Sequence, residues 1–148
     1  MTASARRSLL RAAALLPVAA ALGNAHAEAT PVGGKPRLLI HVSENDAARW
    51  GMALTNAKNA QDAVGGAEKV DIEIVSNGPS VQLLRSDSPI AARVDEASKS
   101  GVKVVACETA MRAMKLQKSD MQASVAFVPA GIIELANRQQ AGWAYVRP

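Results

Sequence analysis

One cysteine, Cys107, stands in the stretch VVACETAMRAM, where a run of β-branched residues stops and a helical pattern begins. A thiolate is the nucleophilic form of cysteine, and an ordinary thiol is only about 3% ionised at pH 7. Placement just before a helix start favours the anion, because the first N–H groups of a helix are unpaired and carry its positive dipole end. Glu108, next in the chain, opposes this by repelling a thiolate. Three fates stay open for such a thiol: buried and inert, paired with another chain, or reactive. The other chemistry-bearing residues are His41, Ser43, Glu44 and Asn45 around the end of the first apolar run, Asn77 in the turn NGPS, Thr109 beside the cysteine, and Pro129 near the start of the last helix. No His, Cys or carboxylate cluster has zinc-ligand spacing, and Met111, Met114 and Met121 read as packing residues. There is no Walker motif and no nucleophile elbow, so neither a metal nor an organic cofactor is expected.

The elements that must position these residues follow from periodicity. RLLIHVS is a near-continuous apolar run, as expected of a strand covered on both faces. Asp46 caps a helix whose buried face carries Ala47, Trp50, Leu54, Ala57 and Val64, and Gly65-Gly66 stops it. KVDIEIVS alternates, with Asp71 and Glu73 opposite Val70, Ile72 and Ile74, which reads as a strand near a sheet edge. VQLLRSD reads as a short helix broken by Pro89, and IAARVDEASKSG as a helix with Ile90, Val94 and Ala97 inward. VKVVA is a third strand ending at Cys107, and a helix begins at Glu108 or Thr109. SVAFV, PAGIIELANRQQAG and WAYV supply a strand, a helix and a last short strand. Helices between successive strands impose parallel pairing, so the expected fold is α/β: a three-layer flavodoxin-like sandwich with a mostly parallel five-stranded sheet in order 2-1-3-4-5. In that order the crevice lies between strands one and three, bringing His41, Ser43 and Asn45 beside Cys107.

The first 27 residues read as a signal peptide: Arg6, Arg7 and Arg11, an apolar stretch from Ala12 to Leu22 too short to span a membrane, and Ala25-His26-Ala27 before cleavage at Glu28. Arg6-Arg7 gives it a twin-arginine character, with an ordinary Sec signal as the alternative, and either implies a periplasmic protein. Residues 28–36 are a Pro- and Gly-rich leader, and 37–148 form one domain. The full chain is +4, but without residues 1–27 it carries 14 basic and 13 acidic residues. With aromatics at 3%, nothing favours nucleic-acid binding. The scarcity of aromatics also implies a small core, so apolar faces on the helices at 90–100 or 109–116 are expected to mark subunit contacts.

Four stretches, IHVSENDAARWGMALTNAKN, IEIVSNGPSVQLL with DSPIAARV, GVKVVACETAMRAMKL and VPAGIIELANRQQAGWAYVRP, resemble the DsrE/DsrF-like family, also called the YchN-like fold, in its branch of small single-domain exported proteins. The resemblance implies a flavodoxin-like domain assembled as a homotrimer or homohexamer. It also implies a persulfide carried on one cysteine after the third strand, a position that Cys107 matches, with a sulfur donor or acceptor protein as partner. On that reading Cys107 is the catalytic residue, and His41, Ser43, Asn45, Asn77, Glu108, Thr109 and Pro129 line its pocket. The alternative is a non-catalytic homo-oligomer that binds a small ligand or protein, with an incidental cysteine.

Overall fold

The computed structural model describes residues 34–148, so the expected signal peptide, its expected cleavage site and most of the expected leader lie outside the described residues. Strands β1 (Arg37–Val42), β2 (Asp71–Ser76), β3 (Lys103–Cys107), β4 (Ala126–Val128) and β5 (Ala144–Val146) alternate with helices α1 (Ala47–Val64), α2 (Ala91–Lys99), α3 (Glu108–Ala113) and α4 (Gly131–Gln140). The segment after NGPS is a 3₁₀ stretch, Gly78–Leu84, that starts inside the turn itself. Every strand pair is parallel.

The ends of α1 form as their residues dictate. Asp46 Oδ1 accepts from the N–H groups of Ala48 at 2.7 Å and Arg49 at 3.3 Å. Gly65 takes a left-handed φ of 84°, which lets its own N–H and that of Gly66 close back onto Asp62 and Gln61. The buried face of α1 carries Trp50, Ala53, Leu54 and Ala57. These pack with Val94 of α2 and Ala110 and Met111 of α3 against Ile40, Ile72, Ile74 and Val104. Burial of each large apolar side chain of this kind stabilises the fold by roughly 1.5–3 kcal/mol. The opposite sheet face is covered differently: Leu135 of α4 packs with Trp143 against Leu39, Val75 and Val105. The sandwich therefore has three helices on one face and a single helix on the other.

Strand order is β4-β3-β2-β1-β5, with β1 between β2 and β5, whereas the expected order 2-1-3-4-5 places β1 between β2 and β3. The first three crossovers each step to the next strand with their helices on one face. The fourth carries the chain back across the sheet, through α4 on the other face, to pair β5 with β1. A right-handed connection that travels the opposite way must use the opposite face. Loops leaving neighbouring strands toward opposite faces therefore open a crevice between β3 and β4, where Cys107 and Val128 are in register. The order also makes β2 an interior strand, so Glu73 is fully buried rather than on an exposed edge.

Val94 of α2 and Ala110 and Met111 of α3, on the helices expected to mark subunit contacts, pack into the core. Among the described residues, the large hydrophobics left exposed are Met52 on α1, Ile132 and Ile133 on α4, and Tyr145 and Val146 on β5.

Candidate functional site

Cys107 closes β3 and is the N-cap residue of α3, making no capping hydrogen bond with its side chain. Its other neighbour is the start of α4. A Cβ built on Gly131 would stand 3.2 Å from Cys107 Cβ, 3.0 Å from Asn77 Cβ and 3.5 Å from Val75 Cγ1. The absence of a side chain at 131 is what lets the first turn of α4 press onto the strand ends. Ala130, the N-cap of α4, likewise provides no side-chain cap. The first turns of α3 and α4 thus meet beside Cys107; neither is capped by a side chain, and the Thr109 N–H of α3 is taken by the Pro129 carbonyl.

The enclosure is tight. Cys107 is 6% exposed, so the thiol is covered rather than open to the crevice as the topology alone suggested. Its cover is the β4–α4 segment, which is tied down at Thr109: both the N–H (3.3 Å) and the hydroxyl (2.9 Å) of Thr109 donate to the Pro129 carbonyl. Arg112 in turn donates to Thr109 Oγ1 at 2.9 Å. Glu108 pairs with Lys118 at 2.5 Å, and both line a cleft of about 250 Å³ with Met111, Arg112, Leu116 and Gln117. The carboxylate beside the thiol in sequence is therefore held by a cation.

The residues expected around Cys107 divide into two groups. Thr109, Pro129 and Asn77 are brought to it. His41 lies two strands away, linked through Asn77: its Nε2 is 3.0 Å from Asn77 Oδ1, and its Nδ1 is 2.8 Å from the Tyr145 hydroxyl. Ser43 and Asn45 belong elsewhere, because β2 stands between β1 and β3. Ser43 Oγ accepts from Arg147 at 2.8 Å, and Asn45 Nδ2 donates to Gln82 at 3.4 Å. Arg147 also holds Glu44 at 2.5 Å, and its hydrogen bond is the largest cause of the Glu44 carboxyl falling to about 2. Sequence reasoning missed Tyr145 and Gly131. WAYV was read only as a terminal strand, while Gly131 directly follows Pro129-Ala130 at a strand end, a signal for close backbone approach.

A second cavity, of about 210 Å³ between α1 and α2, includes Thr55, Lys58, Gln61 and Arg93 in its lining and none of the expected site residues. Among the described residues no group of three or more His, Cys, Asp or Glu could hold a metal ion, and no helix is long and apolar enough to cross a membrane.

Removing the close approach tests this geometry. Gly131→Ala should lower stability by about 1–2 kcal/mol, because the methyl would meet two β-carbons that cannot move independently of the sheet. Urea unfolding reads the change; wild-type stability would show that α4 does not press on the strand ends.

Comparison with known proteins places these features. A family model described as the DsrE/DsrF-like family matches residues 37–148. Among solved structures, a protein of unknown function from Methanobacterium thermoautotrophicum, MTH1491, is similar at 32% identity and a TM-score of 0.72, covering 76% of this chain and 99% of that one. BT1422, a conserved protein of unknown function from Bacteroides thetaiotaomicron, shares the fold at 18% identity and a TM-score of 0.62, over 76% of this chain and 94% of its own. The ychN protein of E. coli does so at 14% identity and a TM-score of 0.61, over 78% and 99%. A search of curated proteins returned no match.

Proposed function

Because the chain belongs to the DsrE/DsrF-like family, we propose that it carries sulfane sulfur as a persulfide on Cys107. The observation that carries this reading is the position of the only cysteine, at the β3/β4 crevice beside the first turns of α3 and α4. The chemistry asks little else. The Cys107 thiolate attacks the outer sulfur of a donor persulfide or polysulfide. A bond forms between the two sulfurs, the donor leaves as a thiolate, and Cys107 holds the persulfide until an acceptor thiolate removes the sulfur in the same way. Since Cys107 is covered by the segment at Pro129 and Gly131, sulfur enters when that segment lifts from Thr109. Treatment of the protein with polysulfide should add about 32 Da, one sulfur atom, to the peptide holding Cys107, and cyanide should remove it. A protein that gains no mass at that peptide does not carry sulfur.

The 6% exposure of Cys107 favours a second reading, a non-catalytic binding module in which the cysteine is a small core residue. In that case the thiol resists both polysulfide and alkylating agents while the chain is folded.

We also propose assembly with further copies of this chain through Ile132 and Ile133 of α4 and the exposed edge strand β5. Light scattering should give a multiple of the chain mass, and a strict monomer refutes it. We further propose that residues 1–27 direct export to the periplasm, for which a processed N-terminus at Glu28 is the expected product.

A further inference from the structure

We propose that the cavity between α1 and α2 binds a short zwitterion of dipeptide size, with its carboxylate on Arg93 and its ammonium at Gln61 and Glu96. The cavity, of about 210 Å³, is independent of the sulfur chemistry: Val102 in its lining immediately precedes β3, and Cys107 stands at the far end of that strand. Two side chains cross between the helices, one toward each end of the cavity. From α2, Arg93 Nη2 donates to the Gly51 carbonyl and to Thr55 Oγ1, each at 3.2 Å. From α1, Gln61 Nε2 donates to the Ser100 carbonyl at 2.9 Å. Between these two braces the lining is apolar, with Leu54 and Val102 buried and Ala97 partly so.

Each brace leaves binding capacity unused. Gln61 is 7% exposed and lines the cavity, yet among the described residues no donor reaches its Oε1. A nearly buried amide oxygen in that position takes an N–H donor from whatever occupies the cavity. Arg93 has no carboxylate partner among the described residues, so its remaining N–H groups are open to an anion. Glu96, one turn before Ser100, lines the same cavity and has no cation partner among the described residues, whereas Lys58 is held by Asp62 at 2.9 Å. The position of the guanidinium is built into α1. A Cβ on Gly51 would stand 2.9 Å from Arg93 Nη1, and a glycine inside a helix is otherwise unfavourable. One end of the cavity therefore offers donors and the other acceptors, with Thr55 and Gln61 about two helical turns apart, on the order of 10 Å. An extended dipeptide spans about 7 Å, and a hydrogen bond at each end closes the difference. Its small side chains lie against Leu54, Ala97 and Val102. The volume is below the roughly 300–1,000 Å³ of pockets that hold drug-sized molecules, which restricts the occupant to a small one.

The test titrates the full chain with alanylvaline and follows the backbone amide signals by NMR. Saturable shifts at Thr55, Gln61 and Ser100 are expected. The N-acetylated dipeptide, which lacks the ammonium, and its C-terminal amide, which lacks the carboxylate, should each bind at least tenfold more weakly. Arg93→Met should weaken binding of the unblocked dipeptide by roughly tenfold and Glu96→Gln by about threefold. Gly51→Ala separates recognition from folding. The methyl displaces the guanidinium and should weaken binding by about threefold or more, while the helix gains a better helix former and the melting temperature holds or rises. A site that serves only to pack the helices would leave binding unchanged in that variant. No saturable shift up to about 10 mM dipeptide, shifts confined to residues away from the cavity, or wild-type affinity in Arg93→Met or for either blocked peptide would each overturn the inference.

Discussion

Arg138→Met should lower stability by about 3 kcal/mol at pH 8 and by clearly less at pH 5. Glu73, on β2, is fully buried beneath α4, and its Oε2 lies 2.8 Å from the Arg138 guanidinium and 3.0 Å from Lys103 Nζ. These are ionic contacts rather than well-aligned hydrogen bonds. Arg138 also holds Glu134 at 2.8 Å and lies over the Trp143 ring, with 4.9 Å to its centroid. Two carboxylates and two cations therefore share the face that a single helix covers. Burial, aided by the neighbouring Glu134, pushes the Glu73 carboxyl up against the pull of Lys103 and Arg138. Burial also raises Glu134, but the neighbouring Glu73 and the hydrogen bond from Arg138 outweigh it and leave that group lowered. The signs differ accordingly. Folded Glu73 holds its proton more tightly than the unfolded chain does, so its contribution is full at low pH and is lost as pH rises through the raised value. The contribution of Glu134 is present above the unfolded value and is lost as pH falls through its own lowered one. Removing Arg138 leaves a buried anion at pH 8 with Lys103 alone, whereas at pH 5 protonation of Glu73 relieves much of the cost. Glu73→Gln keeps the shape without the charge and should change stability by less than about 1 kcal/mol while flattening the pH dependence. Urea titrations at the two pH values check both variants, and an equal loss for Arg138→Met at pH 5 and pH 8 would show that Glu73 does not titrate in the folded chain.

Cys107→Ser should abolish sulfur uptake altogether while leaving assembly intact and stability within about 1 kcal/mol of wild type. The substitution keeps the volume and removes only the nucleophile, at a position where the hydroxyl can serve the N-cap role that the thiol leaves unfilled. Mass spectrometry after polysulfide treatment reads the first effect and urea unfolding the second. Sulfur uptake by the serine variant would place the reactive group elsewhere.

The layered parallel fold was legible because its central strands are apolar runs of β-branched residues bounded by Gly and by an Asp cap. What could not be read was the path of the last crossover. β4 and β5 are three residues each, and β5 is wholly exposed, so neither carries a pattern that says which edge it joins. That one ambiguity displaced the expected crevice from β3/β4 to β1/β3. It also made Glu73 look like the wet side of an edge strand, when Lys103 opposite it in register and Arg138 on α4 neutralise it inside. Cys107, Thr109 and Pro129 were still placed together, because the end of a strand and the start of the following helix stay at the same sheet edge whatever the strand order. Ser43 and Asn45 depended on β1 touching β3, and were lost with it. The cover over Cys107 depends on Gly131, whose meaning appears only when α4 crosses back over the sheet.

The sulfur on Cys107 must be reachable while the chain is folded, and native-state labelling measures that directly. Iodoacetamide should modify Cys107 to completion at pH 8 with the fold intact by circular dichroism. A thiol that stays unlabelled until urea unfolds the protein would contradict the account.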